Sequence, residues 1–307
     1  MIYTVTFNPA LDLFVESELV IGEINRVTHE EYTPGGKGIN VSIVCKELDN
    51  DTVATGFIGG FTGEFIRSEL EKKGVKHNFV SCDGITRINM KIVELQETHI
   101  NLNGVSISRE EFLELKEYLS KKLTSKDVLI ISGNSAQGIG KEEFAEIANI
   151  ANDKKALLVI DTNQSYLEYL LICKPFLIKP NVQELAGVFN VAITSEEEII
   201  KYARKLQQEG ARNVLVSNGV KGAILVTEED VYHGEPLIGQ TVNSIGSGDS
   251  MVAGFVCEWL KTTDYESALK MAITCGATTA FSTTLAKRED INANIDKAIV
   301  TKEVRRG

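Results

Sequence analysis

Short apolar runs alternate with helix-period stretches along most of the chain from Thr52 onward. The runs are rich in β-branched residues and predict strands, whereas apolar residues that recur every three or four positions predict amphipathic helices. The predicted strands are 53–58, 127–132, 156–161, 176–178, 213–217 and 223–226, and the predicted helices include 63–73, 141–152, 166–173 and 195–208. The tetrapeptide Ser-Arg-Glu-Glu at 108–111 has the form of a capping box before a further helix that ends near Leu123. Strand, helix and strand in this rhythm imply right-handed crossovers, so we predict an α/β fold with a mostly parallel sheet.

Two segments depart from this pattern. Residues 14–32 are more polar and alternate loosely, and the alternation over 86–92 puts Arg87, Asn89 and Lys91 on one strand face. We predict that segments 12–33 and 86–101 form one small accessory sheet, a lid on the main domain. The polar face suits an anionic sugar, although a solvated edge strand guarded by charge fits the local sequence nearly as well.

Composition limits the class of protein. The chain has 307 residues, of which 43% are hydrophobic, so we predict a single domain over 1–307. Its net charge of -11 argues against nucleic acid or an anionic membrane as the main partner. The chain has no uninterrupted apolar stretch of membrane-spanning length and no basic leader, and its five scattered cysteines suit reduced thiols, so we expect a cytoplasmic protein.

Polar residues follow several of the predicted strands. Asp12 lies just after the first strand, and the tripeptides 132–134, 161–163 and 179–181 follow three later ones. The carboxyl ends of parallel strands meet at one edge of a sheet, where open α/β folds bind ligands. We therefore predict a crevice at this edge.

A glycine-spaced turn, VNSIGSGDSMVAGF over 242–255, precedes an apolar helical run. Gly246 and Gly248 allow a sharp turn whose free N–H groups form an anion site, and Asp249 in the first helical turn could accept a proton. Phosphoryl transfer to a hydroxyl needs both. An ordinary glycine-rich loop followed by an acidic residue that suits the helix dipole accounts for the stretch equally well.

Two further motifs are candidates for ligand contacts. Gly36, Lys37 and Asn40 belong to a GGKG turn that opens a helix, where glycines permit close approach to a ligand, although a flexible turn is the alternative. Asn181 and Glu184 are three residues apart and could hold the water shell of Mg²⁺. A simple helix cap with an exposed glutamate fits that local sequence better.

Taken in this order and at these separations, the motifs resemble those of carbohydrate kinases of the ribokinase-like PfkB family. The stretches NPALD, PGGKGINVS, TRINMKI, FLIKPN and VNSIGSGDSMVAGF carry the resemblance over nearly the whole chain. They are most similar to members that phosphorylate fructose 1-phosphate, and next to members that act on tagatose 6-phosphate. The resemblance implies a three-layer α/β/α sandwich with a mostly parallel central sheet, a small β-sheet lid and a homodimer joined through the lids.

The resemblance also implies a role for each motif. Asp249 matches the catalytic base, and Gly246, Ser247 and Gly248 match its anion hole. Sugar contacts are implied for Asp12, Gly36, Lys37 and Asn40, and for Arg87 as a basic position near the substrate, with Asn89 on the same strand face. Contacts to the nucleotide are implied for Lys179, Asn181, Glu184, Ser217, Gly219 and Gly222, with Asn181 and Glu184 holding Mg²⁺ through water.

The implied activity is ATP-dependent phosphorylation of fructose 1-phosphate at its 6-hydroxyl, giving fructose 1,6-bisphosphate. A tagatose-6-phosphate kinase and a catalytically silent sensor of sugar phosphates or nucleotides are the alternatives. Two loops depart from the family pattern: residues 134–138 lack the usual proline, and residues 162–164 replace a small or glycine-containing loop. Both would shape the contacts to sugar and phosphate.

Overall fold

The computed structural model describes residues 1–17, 19–93 and 97–303. Glu18 and residues 94–96, which fall in the two predicted lid segments, lie outside the described residues. The strands are β1 (Ile2–Thr6), β2 (Ala10–Glu16), β3 (His29–Gly35), β4 (Thr52–Ile58), β5 (Lys76–Ser81), β6 (Arg87–Val93), β7 (Glu97–Asn101), β8 (Val128–Ser132), β9 (Leu157–Asp161), β10 (Leu177–Ile178), β11 (Asn213–Ser217), β12 (Ala223–Val226), β13 (Val231–Gly234) and β14 (Val300–Lys302). The α-helices are α1 (Lys37–Glu47), α2 (Gly60–Lys72), α3 (Arg109–Lys122), α4 (Lys141–Lys154), α5 (Gln164–Leu170), α6 (Val182–Phe189), α7 (Glu196–Glu209), α8 (Ser247–Thr262), α9 (Tyr265–Ala280) and α10 (Arg288–Asn294).

The main sheet is mostly parallel, as predicted. Its order across the described residues is β14-β13-β12-β11-β10-β9-β8-β1-β4-β5, and the strands from β11 to β5 pair in parallel whereas β12, β13 and β14 are antiparallel. The chain runs from β1 to β4 on one side and later returns to β8 on the other. Strand order therefore reverses beside β1, which is where such sheets form a ligand crevice.

Helices cover both faces of this sheet, because apolar residues alternate across its buried strands. Tyr3 and Val5 of β1 belong to the core that the sheet forms with α3, α4, α5, α6 and α7 on one face. Ile2 belongs to the core that the sheet forms with α1, α8, α9 and α10 on the other face. The ring of Phe7, just past β1, lies 4.1 Å from that of Phe144 in α4. The predicted three-layer α/β/α sandwich is confirmed.

Local sequence accounts for several helix boundaries. Ser108 accepts from the N–H of Glu111 and the Glu111 carboxylate accepts from the N–H of Ser108, so α3 begins with the predicted capping box. Phe112, Leu115 and Leu119 lie on the buried face of α3, and each such side chain contributes roughly 1.5–3 kcal/mol to stability when fully buried.

Among the described residues, no helix combines the length and apolar character needed to cross a membrane.

The lid is a separate sheet whose order among the described residues is β3-β2-β6-β7. Strand β2 pairs in parallel with β6, and this register places Asp12 opposite Asn89 and Phe14 opposite Lys91. Directly paired residues share a face of a sheet. The polar face predicted for β6 therefore includes Asp12, although β2 begins two residues before the predicted segment and β3 ends two residues after it.

Candidate active site

A cleft of about 970 Å³ lies between the carboxyl edge of the main sheet and the lid. One wall of the cleft contains residues at or just past the ends of main-sheet strands: Thr6, Gly133, Lys179 and Ser217. The other wall belongs to the lid and contains Asp12. The cleft brings together all of the predicted site residues: Asp12, Gly36, Lys37, Asn40, Arg87, Asn89, Lys179, Asn181, Glu184, Ser217, Gly219, Gly222, Gly246, Ser247, Gly248 and Asp249. The crevice expected from the polar strand ends is therefore present.

The amino end of α8 opens into the middle of this cleft. Gly246 precedes the helix in the left-handed conformation with φ 79°, and it supplies no side-chain cap. A β-carbon at Gly246 would also lie 2.6 Å from the side chain of Leu285. Because the first N–H groups of a helix have no intrahelical acceptor, this turn presents donors and the positive end of the helix dipole to the cleft.

Asp249 lies in the first turn of α8, as predicted, and is only 5% exposed. The Asn40 side chain donates to Asp249 Oδ2 at 2.8 Å and thereby holds the carboxylate in place. Burial, together with the charge of Asp161, raises the pKa of Asp249 to about 6. The carboxylate is therefore mostly ionised at neutral pH yet basic enough to accept a proton.

Two lysines flank Asp161 at the end of β9. The Lys37 ammonium lies 3.4 Å from each Asp161 oxygen, and the Lys179 ammonium lies 3.5 Å from Oδ1. Burial opposes ionisation of Asp161, but the ammonium groups of Lys179 and Lys37 hold the pKa of Asp161 below its usual value. The charge of Asp161 in turn raises the pKa of Lys37. The sequence pattern placed Asp161 at the crevice but indicated no role for it.

On the lid side of the cleft, Asp12 accepts hydrogen bonds from two polar side chains of β6. Its Oδ1 accepts from Asn89 at 2.9 Å, and its Oδ2 accepts from the buried Lys91 ammonium at 2.7 Å. Gly35 in the neighbouring strand is required here, since a β-carbon would lie 2.5 Å from the Asp12 carboxyl carbon. The charge of Lys91 is thus balanced by Asp12.

Arg87 is oriented by backbone at the end of β1. Its Nη2 donates to the carbonyl of Asn8 at 3.1 Å and its Nε to that of Pro9 at 3.4 Å. The Asn8 side chain in turn donates to the carbonyls of Asn103, beyond the lid, and Ser135, beyond β8. Asn8 also lines the cleft, and sequence reasoning missed it, because the Asn-Pro pair indicated only the end of a strand.

Asn181 and Glu184 form the cap of α6. Asn181 Oδ1 accepts from the N–H of Glu184 at 2.7 Å, and Glu184 Oε2 accepts from the N–H of Asn181 at 2.8 Å. The described residues contain no group of three or more His, Cys, Asp or Glu side chains suited to a metal ion. A hydrated Mg²⁺ needs few direct protein ligands, and the cap bonds leave Glu184 Oε1 for it, so the pair fits water-mediated binding only.

The far end of the cleft is a glycine-containing turn with apolar neighbours. Gly222 follows a short 3₁₀ turn, Gly219–Lys221, with φ 87°, and a β-carbon there would lie 2.0 Å from the carbonyl oxygen of Gly234. Exposed Val220 and Ile238 and the ring of Phe281 also line this end. The sequence pattern did not single out these apolar residues, because isolated exposed apolar side chains carry no periodic signal.

The two unusual loops contact each other. Thr162 Oγ1 donates to the carbonyl of Gly133 at 2.7 Å, and the Asn163 amide donates to Asn134 Oδ1 at 3.2 Å. Gln164 donates to the carbonyl of Gly187 at 2.7 Å, at the far end of α6. These side-chain bonds hold together the loops after β8 and β9, which support the Asp161 position.

Comparison with known proteins agrees with this geometry. Residues 7–290 match the pfkB family of carbohydrate kinases. The chain is 39% identical over 303 residues to a 1-phosphofructokinase of Bacillus subtilis, covering 98% of this chain and 100% of that protein. It is 38% identical over 284 residues to a D-tagatose-1-phosphate kinase of Bacillus licheniformis, covering 92% and 93%.

A solved structure shares the fold. Phosphofructokinase-2 from Escherichia coli in complex with substrates and products superposes with a TM-score of 0.91 at 27% identity, covering 96% of this chain and 98% of that one. The predicted family and the predicted fold are both confirmed. The chain belongs to the pfkB family of carbohydrate kinases, enzymes that transfer a phosphoryl group to a sugar hydroxyl.

Proposed function

We propose that this kinase transfers the γ-phosphoryl group of ATP to the 6-hydroxyl of D-fructose 1-phosphate and forms fructose 1,6-bisphosphate. The observation that carries the proposal is the buried Asp249 carboxylate, oriented by Asn40 beside the uncapped start of α8. The site therefore combines a base for the hydroxyl proton with donors for the transferring phosphoryl group. The chemistry requires both in one place.

In the proposed reaction Asp249 takes the proton of the 6-hydroxyl as that oxygen forms a bond to the γ-phosphorus. The bond from the γ-phosphorus to the bridging oxygen of ADP breaks, and ADP leaves. The N–H groups of Gly246 and Gly248 offset charge on the transferring group. The N–H of Ser247, between them, donates to the carbonyl of Ser244 at 3.3 Å and shapes the turn. Most of the catalysis then comes from positioning and electrostatics rather than from covalent chemistry.

We assign the acceptor to the lid side of Asp249. Asp12 and Asn89, which contact each other, suit hydroxyl groups of the sugar, together with the turn at Gly36, Lys37 and Asn40. Arg87 is the group that we assign to the phosphate already on the sugar, because an arginine fork binds phosphate in a bidentate manner. Lys91 is less suited to that phosphate, since Asp12 already balances its charge.

We assign ATP to the other side, where the apolar wall of Val220, Ile238 and Phe281 suits the flat base. The remaining contacts in this assignment come from Ser217, Gly219 and Gly222 near the nucleotide, and from Lys179 near its phosphates. Mg²⁺, when bound, would offset negative charge on the ATP phosphates, with Glu184 and Asn181 holding its water shell.

The choice of acceptor is tested by a coupled assay of ADP release. Fructose 1-phosphate, tagatose 1-phosphate, tagatose 6-phosphate and fructose 6-phosphate are each supplied with Mg-ATP, and kcat/KM is compared. The D-tagatose-1-phosphate kinase relative favours tagatose 1-phosphate as the second candidate, and a higher kcat/KM for either tagatose ester would overturn the fructose assignment. If no sugar phosphate is turned over but one raises the melting temperature, the chain is a sensor.

We also propose that the chain forms a homodimer through the lid. The segment between β2 and β3 carries exposed apolar side chains, with Ile21 93% and Ile24 88% exposed, and such clusters mark interaction surfaces. The Ile21→Asp and Ile24→Asp variants are expected to shift the particle mass in light scattering from two chains to one. Ile172→Asp is the control, because Ile172 is exposed but lies in the turn after α5. A mass of one chain for the unaltered protein would contradict the proposal.

A further inference from the structure

We infer that Asp161 is a positioning residue that holds the two lysine ammonium groups of the phosphoryl-transfer site, Lys37 and Lys179, at fixed places beside Asp249. The inference rests on the proposed function for its kinetic consequences, but its structural basis is independent of the acceptor. Neither the motifs nor the resemblance to other kinases assigned a role to this carboxylate.

Asp161 is held in place by a central strand of the main sheet. It is the last residue of β9, is 1% exposed, and lies between β8 and β10 in the middle of the parallel sheet. The Ser132 hydroxyl donates to Oδ2 at 3.5 Å, and the Gly133 N–H donates to the Asp161 carbonyl at 2.9 Å. Groups carried by packed strands are held more precisely than groups carried by loops.

Both ammonium groups lie within ion-pair distance of Asp161 but outside close hydrogen-bond distance. The distances of 3.4 Å and 3.5 Å exceed the roughly 2.7–2.9 Å of a close ammonium–carboxylate hydrogen bond. Each ammonium has three N–H donors, so Asp161 can hold both lysines while leaving donors for the oxygens of the two substrates. The Lys179 ammonium also lies against the start of α8, since a β-carbon on Gly248 would be only 2.9 Å from it.

Charge balance gives Asp161 a second effect. Asp249 is surrounded by the charges of Asp161, Lys37 and Lys179, and Glu184 also acts on Lys37. Without Asp161, the buried ammonium group of Lys179 and the partly exposed one of Lys37 would lose the carboxylate that lies between them. They would be drawn towards Asp249, which would become a weaker base and lose its fixed cationic surroundings.

The test uses Asp161→Asn, which keeps the shape of the side chain and removes its charge. We expect kcat/KM to fall about 100-fold, the usual cost of misplacing groups at a reacting centre. We also expect the acid limb of the pH profile to move down by about one pH unit, because one negative charge beside Asp249 is lost. A residue that only supports the fold would not move the acid limb.

Asp127→Asn is the matched control. Asp127 is also buried and ion-paired, with the N-terminal ammonium at 3.1 Å, but it precedes β8 at the opposite edge of the sheet. It should lose stability without a change in the acid limb. Asp161→Asn and Lys37→Gln are also combined in one double variant. Because Asp161 acts partly through Lys37, kcat/KM of the double variant should be only slightly lower than that of Lys37→Gln alone.

Carboxyl NMR of protein labelled with ¹³C-aspartate provides a readout that needs no turnover. The Asp249 signal is assigned by its loss in Asp249→Asn, and its titration should shift to lower pH in Asp161→Asn. Absence of turnover in the unaltered enzyme would refute the proposed function, whereas an unshifted Asp249 titration would refute the role of Asp161. If Asp161→Asn does not fold, Asp161→Glu is measured instead. This variant keeps the negative charge but moves it, so the acid limb of its pH profile should stay in place while kcat/KM falls at least tenfold. Wild-type kinetics for Asp161→Glu would overturn the inference.

Discussion

Replacing Asp249 by asparagine is expected to abolish most turnover and, at neutral pH, to stabilise the fold. Asparagine keeps the size of the side chain and can still accept the hydrogen bond from Asn40, but it cannot take the proton of the acceptor hydroxyl. Loss of a positioned general base costs about 10²- to 10⁴-fold in rate, which corresponds to roughly 3–5 kcal/mol in the activation free energy.

The stability change follows from the pKa of Asp249. Burial raises this pKa from 3.8 to about 6, so the folded state destabilises the ionised form relative to the unfolded chain. The cost is absent below pH 3.8, grows as pH rises and is complete above pH 6, where it reaches about 3 kcal/mol. Asparagine does not ionise, so the variant should melt a few degrees higher than the unaltered protein at pH 7 and show little gain at pH 4.

The assay combines steady-state ADP release with thermal melting at pH 4 and pH 7. In the unaltered enzyme, kcat/KM should fall about tenfold per pH unit below pH 6, as Asp249 becomes protonated. Asp127→Asn should behave in the opposite way, with turnover retained and stability lost at pH 7, because hydrogen bonds from Thr124 and the N-terminal ammonium outweigh burial and hold the pKa of Asp127 below its usual value. Turnover of Asp249→Asn within tenfold of wild type, or a lower melting temperature at pH 7, would refute the reasoning.

Two further substitutions test the two ends of the site. Arg87→Ala should raise the KM for the sugar phosphate by about 10- to 100-fold, the worth of a charged hydrogen bond, and leave the KM for ATP unchanged. Equal changes in both constants would argue against Arg87 as the contact to the acceptor's phosphate. Gly248→Ala should fold normally, since Gly248 is helical, but its β-carbon would displace the Lys179 ammonium. We expect kcat to fall at least tenfold with the melting temperature unchanged or raised, and wild-type kinetics would show that the place of Lys179 does not matter.

Local sequence determined much of the fold because strands and helices have different periods of apolar residues. The alternating pattern from Thr52 onward predicted the parallel strands, and the capping residues predicted where α3 begins. The pattern missed β5, whose sequence KHNFVS buries only Phe79 and Val80, and it missed the short edge strand β14. An edge strand with few buried residues has too weak a periodic signal to predict.

The motifs likewise determined the family and many of the polar and glycine residues that line the cleft, since glycine turns and polar strand ends are local features of the sequence. Only the tertiary structure decided which groups face each other across it. Asn40 and Asp249 are 209 residues apart in the chain, and Lys37 and Asp161 are 124 residues apart. No local period encodes such pairs. The main parallel sheet brings these pairs to one edge, which places Asp161 between two lysines and sets the basicity of Asp249. The separate lid sheet pairs Lys91 with Asp12.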